Sequence, residues 1–237
     1  MPEGLQCVKK TAVITGWDFS TGGVKCLAFD TEGHVLAEVR LPTDIWFGDS
    51  PATGIRELNV MQLEGQAYAS VRAIAAELAR LGRIKDWVAG GISATHHTSA
   101  RIDALGNQVR RAICWNDATL AEYHAKGLAR LGGQERVQEL IGGPWAIRYG
   151  LSHLVKDEVH LSPGDWRRTH RIAAHGVLAA GYLTGNFDVC SVSVGASSGI
   201  MDLRTNKWRR EMLEALENEE YRRLAWKQLP KIIDHYT

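Results

Sequence analysis

Between residues 11 and 41 the apolar positions recur with a period of two. Residues 11–17 are apolar and β-branched, residues 24–30 interleave one apolar set (Val24, Cys26, Ala28) with another (Leu27, Phe29), and residues 35–41 follow a Thr31-Glu32-Gly33-His34 turn. Such alternation predicts three antiparallel strands in a meander, and the two sets in the second strand predict that both its faces are covered. The period then lengthens. Ala67, Val71, Ile74, Ala75, Leu78 and Leu81 fall on one face of a helix over residues 64–81, which Gly82 stops. Residues 42–61 show no period and contain Pro42, Gly48, Pro51 and Gly54, so Trp46 and Phe47 either form a flap over a site or pack back on the core. Residues 86–93 read as a buried strand in which Gly90 and Gly91 let a helix or ligand approach closely. A meander, a helix and a further strand in that order predict an α/β fold.

Beyond this strand the pattern predicts a hairpin, residues 100–103 and 109–115 around residues 104–107, with Asp117 as N-cap of a helix over residues 118–131. Further helices are expected at residues 135–141, 150–157 and 176–183, with short strands at 171–174 and 200–203. An amphipathic helix is expected at 208–216. Residues 191–198 are small and hydroxyl-rich, which suits either close packing near a ligand or a tight turn. No internal repeat or low-complexity linker interrupts the chain.

Composition narrows the partners. The 237 residues carry a net charge of +1, with 45% hydrophobic and 23% charged residues, which gives no electrostatic case for nucleic acid or a membrane surface. No apolar run is long enough for a bilayer, and Met1 to Lys10 lacks the apolar core of a secretory signal. Cys7, Cys26, Cys114 and Cys190 have no paired spacing, so reduced thiols in a cytoplasmic protein are expected rather than disulfides or a zinc site. The chain divides into an N-terminal tail, residues 1–10, and one domain, residues 11–237.

Two clusters offer chemistry. In Gly16-Trp17-Asp18-Phe19-Ser20-Thr21-Gly22-Gly23-Val24-Lys25, a turn of hydroxyls and glycines can present backbone N–H groups to an anion, with Ser20 and Thr21 as further donors and Lys25 as a positive charge. Asp18 beside such a turn makes sense if a divalent cation, Mg²⁺, offsets its repulsion with a phosphate. A plain solvated turn explains the decapeptide equally well. His96, His97, Trp115, Asn116 and Asp117 flank the hairpin and are candidates for one pocket, with imidazole and amide groups for hydroxyls and an indole wall for C–H groups. Each also has an ordinary alternative: surface histidines, a core tryptophan, a helix cap. A metal at the His pair is disfavoured, because neighbouring residues on an extended segment point to opposite sides.

Taken in order, these segments resemble the N-terminal domain of the FGGY carbohydrate kinases, xylulokinase-like members above all. The family's G-(I/W)-D-x-(G/S)-T-(S/G)-(S/G)-V-K matches residues 16–25. Its I-S-x-x-x-H, D-x-x-G and P-A-I-x-W-N-D patterns fall on Ile92-Ser93 and His97, Asp103 to Gly106, and Ala112 to Asp117. L-T-G-x-F corresponds to Leu183 to Phe187, and G-x-x-D-x-x-T-x-x-W to Gly199 to Trp208. The resemblance implies a ribonuclease H-like domain of the actin, Hsp70 and sugar kinase group, with a mixed sheet whose meander is flanked by helices. It further implies a cleft for ATP, Mg²⁺ and a sugar or polyol. By this likeness Asp18 helps hold magnesium, Thr21 to Gly23 lie near the transferred phosphoryl group, and His97, Trp115, Asn116 and Asp117 line the sugar pocket.

The resemblance also implies a second, ATP-binding domain and a catalytic aspartate in a G-x-x-D-(N/Q) motif, both beyond the point matching Thr237. This chain therefore reads as the sugar-binding half of a kinase, inactive alone, with a homodimer left open. A non-catalytic carbohydrate-binding or regulatory module is the alternative. An actin-like or chaperone fragment shares the first hairpin but has no need of the His pair. Thr95-His96-His97-Thr98 stands where xylulokinases have Q-M-H-G, and residues 175–178 and 192–197 also depart from the family pattern. These changes point away from xylulose itself, toward another pentulose, a polyol or a sugar acid.

Overall fold

A computed structural model describes residues 9–234; Cys7 and most of the expected tail lie outside them. The chain opens with β1 (Val13–Ser20), β2 (Gly23–Phe29) and β3 (Val35–Pro42), then β4 (Ile45–Trp46), β5 (Glu57–Leu58) and the long helix α1 (Val60–Arg80). It continues through β6 (Trp87–Ala94), β7 (Ser99–Ile102) and β8 (Gln108–Ile113) to α2 (Leu120–Arg130), α3 (Gln134–Ile141), α4 (Gly150–His160) and α5 (Pro163–Arg168). Then come β9 (Arg171–Ala174), α6 (His175–Thr184), β10 (Val189–Ser191), α7 (Val192–Ala196), β11 (Met201–Asp202), β12 (Lys207–Trp208), α8 (Glu219–Gln228) and β13 (Lys231–Ile233).

The expected meander forms. One sheet has the order β3-β2-β1-β6, antiparallel across the meander and parallel between β1 and β6. Its inner face (Val13, Trp17, Phe19, Val24, Cys26, Ala28) packs with Leu63, Ala67, Ile74 and Leu78 of α1 and with Val177 and Leu178 of α6. Each aliphatic side chain fully buried there contributes about 1.5–3 kcal/mol. Asn59 starts α1 earlier than the apolar period does, because its Oδ1 accepts the Met61 amide at 3.0 Å. The other face of β2 is only partly covered: Leu27 and Phe29 are half-buried and Lys25 is exposed.

The strand expected to be buried at residues 86–93 is instead the free edge of this sheet. Every residue of β6 from Val88 to Ser93 is exposed, because β1 pairs with one side of it and, among the described residues, nothing pairs with the other. The groups that approach Gly90 closely are side chains of the neighbouring strand; a Cβ there would lie 2.6 Å from the Trp17 ring and 2.8 Å from Thr15 Oγ1. Gly91 has open space above it.

A second sheet has the order β4-β5-β8-β7-β9, so the irregular stretch after Pro42 contributes two short strands to it. Trp46 remains 43% exposed, and the Arg56 guanidinium lies 4.6 Å from the centre of the Phe47 ring. Outside this sheet, α2, α3, α4 and α5 build a second core around Trp145, Leu151, Leu154, Trp166, Met212 and Tyr221. The amphipathic helix expected at 208–216 is a strand followed by a 3₁₀ turn, Arg210–Ala215, which buries Met212 and Leu213. Cys26, Cys114 and Cys190 are buried free thiols, each pushed up to about 12 by burial. No helix of the described residues is long and apolar enough to cross a membrane.

Candidate functional site

Register brings the two predicted clusters to one end of the molecule. Parallel β1 and β6 finish together, Phe19 opposite Ala94, and the Thr95 amide donates to the Phe19 carbonyl at 2.9 Å. The Ser20–Gly23 turn and the His96-His97 segment therefore leave adjacent strand ends. In the second sheet Ser99 lies opposite Ile113 on one side and Ala174 on the other. Residues 96–98 and 114–117 thus emerge from the same end of that ladder, the usual location of ligands in open α/β sheets.

The first turn is tight: Ser20 pairs with Gly23, and only Thr21 and Gly22 lie between. Ser20 Oγ donates to the Gly23 carbonyl at 2.9 Å, so its proton is spent inside the turn rather than on a ligand. Gly23 is required by the fold, since a Cβ there would sit 2.8 Å from the Leu41 carbonyl oxygen of β3. Gly22 has nothing within 4 Å of its virtual Cβ. The amides of Thr21 and Gly22 have no intramolecular acceptor among the described residues, which is what an anion cradle requires. Asp18 lies across the ladder from Lys25 on β2 and from Ser93 on β6. Its half-exposed carboxylate has no hydrogen bond or ion pair among the described residues. Were the turn to hold a phosphate, one free carboxylate beside it would be a sufficient protein share for Mg²⁺, which takes most of its other oxygens from water and phosphate.

His97 is the most constrained of the predicted site residues. Its φ of 68° is left-handed, a costly conformation for a residue with a Cβ. Its ring stacks on Tyr149, centroids 4.8 Å apart and planes 11° apart. Nδ1 lies 3.2 Å from the Ser197 carbonyl, which can only accept, so Nδ1 carries the proton and Nε2 keeps its lone pair. Burial, together with nearby Arg148 and His96, holds its pKa below the ordinary histidine value, against the pull of the Ser197 carbonyl. His96 is exposed, 5.8 Å from His97 ring to ring. A groove of about 480 Å³ runs past His96 between the β6 edge, α6 and α7. Among the described residues the His pair joins no third ligand. The single group of three metal-ligating side chains among the described residues is Asp30, Glu32 and His34 on the β2–β3 turn.

Trp115 is 46% exposed and Asn116 is exposed, so the tryptophan does not fill core. Asp117 behaves differently from both expectations for it. Thr119, not Asp117, occupies the cap position of α2. Asp117 is buried, with Oδ2 accepting the Arg56 amide at 2.9 Å and Oδ1 accepting the Thr119 amide at 3.0 Å as well as the Thr119 hydroxyl. Lys156 Nζ stands 3.7 Å away and donates to Thr119 Oγ1 at 2.7 Å. Asp117 thus fastens β5 to the start of α2 and has little capacity left for a ligand. Nearby Glu57 has its pKa raised by burial, against the pull of Arg110 and Lys156.

Tyr149, Arg148, Ser197 and Lys156 were not foreseen as site residues. Tyr149 is the residue before α4, where the sequence pattern signals only a helix start. Its contact with His97 spans the whole hairpin and two helices, a separation that no local period encodes.

The model of the FGGY family of carbohydrate kinases, N-terminal domain, matches residues 13–235. No curated protein matches the sequence. Among solved structures, a xyloylose kinase from Brucella ovis superposes with TM-score 0.77 at 20% identity, covering 93% of this chain and 43% of that one. A gluconate kinase from Lactobacillus acidophilus gives 0.71 at 19% identity, covering 94% and 42%. A glycerol kinase from Plasmodium falciparum gives 0.72 at 16% identity, covering 93% and 43%. The chain spans less than half the length of these proteins, and it shares their ribonuclease H-like fold.

Proposed function

Because this chain belongs to the FGGY family of carbohydrate kinases, we propose that it forms the sugar-binding part of an ATP-dependent kinase acting on a hydroxyl of a sugar or polyol. The observation that carries this reading is the convergence of the Thr21-Gly22 amides, free Asp18, and the His97 and Trp115 segments at one end of two sheets. Phosphoryl transfer asks for positioning and charge neutralisation more than for covalent chemistry, and this end can supply both.

In this reading the Thr21 and Gly22 amides, with Lys25, hold phosphate oxygens of ATP, and Asp18 holds Mg²⁺. Bound there, the metal would neutralise charge on the transferred group. His97 accepts a sugar hydroxyl through Nε2, and its left-handed backbone and stacked ring fix the direction of that lone pair before any ligand arrives. Trp115 covers the C–H face of the sugar, and Asn116 offers both a donor and an acceptor. Asp117 acts indirectly, by holding the Trp115-Asn116 turn against β5.

A thermal-shift screen of the 237-residue chain tests this reading. Pentuloses, polyols, hexoses and sugar acids are compared with and without Mg-ATP. At least one sugar class is expected to raise the midpoint, since a ligand bound only by the native state must do so. Trp115→Ala is expected to weaken that sugar about tenfold while leaving the Mg-ATP response intact, as for the loss of about 1.4 kcal/mol of ring contact. No shift with any sugar, or equal losses for sugar and nucleotide, would remove the basis of the proposal.

A further inference from the structure

The charge set beside the His97 ring is positive. Arg148 immediately precedes Tyr149, the ring on which His97 stacks, and is exposed. Among the described residues its guanidinium has neither an ion pair nor a hydrogen bond. Arg72 of α1 and Arg223 of α8 share that condition; the chain's other arginines are mostly tied to carboxylates, carbonyls or rings, as Arg130 is to Glu158 and Arg204 to Asp202. His96, exposed beside His97, adds a ring whose nitrogens have no hydrogen bond among the described residues. Among the described residues no carboxylate is paired with them: Asp117 is buried with both oxygens hydrogen-bonded, half-buried Glu57 lies beside Arg110 and Lys156, and Asp18 lies across the ladder from Lys25.

A neutral sugar needs donors and acceptors in comparable number, and an unpaired guanidinium would do little for it. We propose that the sugar taken by this site carries a carboxylate, as an aldonic acid does, and that Arg148 receives that carboxylate in a forked pair of hydrogen bonds with His96 beside it. The five N–H groups of a guanidinium match a planar carboxylate as they match no hydroxyl, so the pair would discriminate sugar acids from ketoses and polyols of the same length. His97 Nε2 then remains for a hydroxyl of the same molecule. This inference rests on the kinase reading and names the substrate class of its sugar site.

The probes are D-gluconate and D-xylonate as acids, xylitol and D-xylulose as neutral counterparts, and acetate as a bare carboxylate. All are titrated into the 237-residue chain with Mg-ATP present at constant ionic strength. One of the two aldonates is expected to bind at least tenfold more tightly than either neutral sugar. Arg148→Gln is expected to weaken that aldonate ten- to a hundredfold while leaving the ligand-free midpoint unchanged, and Arg223→Gln is expected to do nothing. If xylitol or xylulose binds as well as the aldonates, or if Arg148→Gln leaves aldonate affinity intact, the carboxylate inference falls and the kinase reading stands. An equal response to acetate would show non-specific anion binding and overturn the inference too. If no sugar of either kind binds, both readings fail together.

Discussion

Asp157→Ala is expected to destabilise the protein by about 3–5 kcal/mol, a large part of the total that holds a domain of this size together. Asp157 of α4 is buried between two arginines, with Arg101 Nε 2.6 Å from one carboxylate oxygen and Arg110 Nε 2.6 Å from the other. Arg101 is itself fully buried, stacked 3.7 Å over the Trp166 ring and donating to Gln228 Oε1 at 3.0 Å. The two cations hold the Asp157 carboxyl below the ordinary value against the opposing effect of its burial. Removing the carboxylate leaves two arginines, one of them sealed from water, without a counter-charge. Urea unfolding checks this, and a midpoint close to the parent's would overturn it. The double variant Arg101→Met with Asp157→Leu is expected to recover only part of the loss: the apolar pair avoids the desolvation that the Arg101–Asp157 ion pair must overcome, but Arg110 still lacks its counter-charge.

Mild acid is expected to act on two other buried groups. His153 and His175 are buried, and burial pushes their pKa values down to about 3 and about 4, from 6.5 in the unfolded chain. Between those values the unfolded chain binds protons that the native one refuses, so stability falls as pH drops below 6.5. By pH 5 each histidine accounts for about 2 kcal/mol of lost stability. His97, shifted the same way, adds to the trend. Glu57, raised by burial, opposes it, as does exposed His34, raised by its hydrogen bond to Asp30. Asp157 contributes only lower, below 3.8. Urea midpoints at pH 7.5 and pH 5.0 should therefore differ markedly, and His175→Leu should flatten about half of the difference. A pH-independent midpoint would show that these rings find protons or partners in the fold.

The meander and α1 were legible because their apolar residues repeat at periods of 2 and 3.6, and the His97 and Trp115 segments because strand ends gather ligands. β6 was misread for a physical reason: an apolar, uncharged strand announces that it prefers burial, not that a neighbour is present to bury it. The 3₁₀ segment Arg210–Ala215 carries a helix-like apolar pattern, yet its closure depends on the second core, which no local window contains. Asp117 sits two residues ahead of the α2 cap, Thr119, and its carboxylate joins that helix start to the Arg56 amide, far away in the chain. The His97–Tyr149 stack and the Arg101–Asp157–Arg110 cluster are non-local throughout. Their members look, in sequence, like ordinary surface residues.

The two rims of the first sheet differ in how they meet water. β3 carries Glu38, Arg40 and Pro42 along its outer edge, a charged border that repels a second strand. β6 offers Val88 to Ser93, without charge or proline, and with it a row of backbone donors and acceptors that only water satisfies. Of the two rims, β6 is therefore the one open to a further strand. Self-association through that rim would grow with concentration, where unfolding by heat would not.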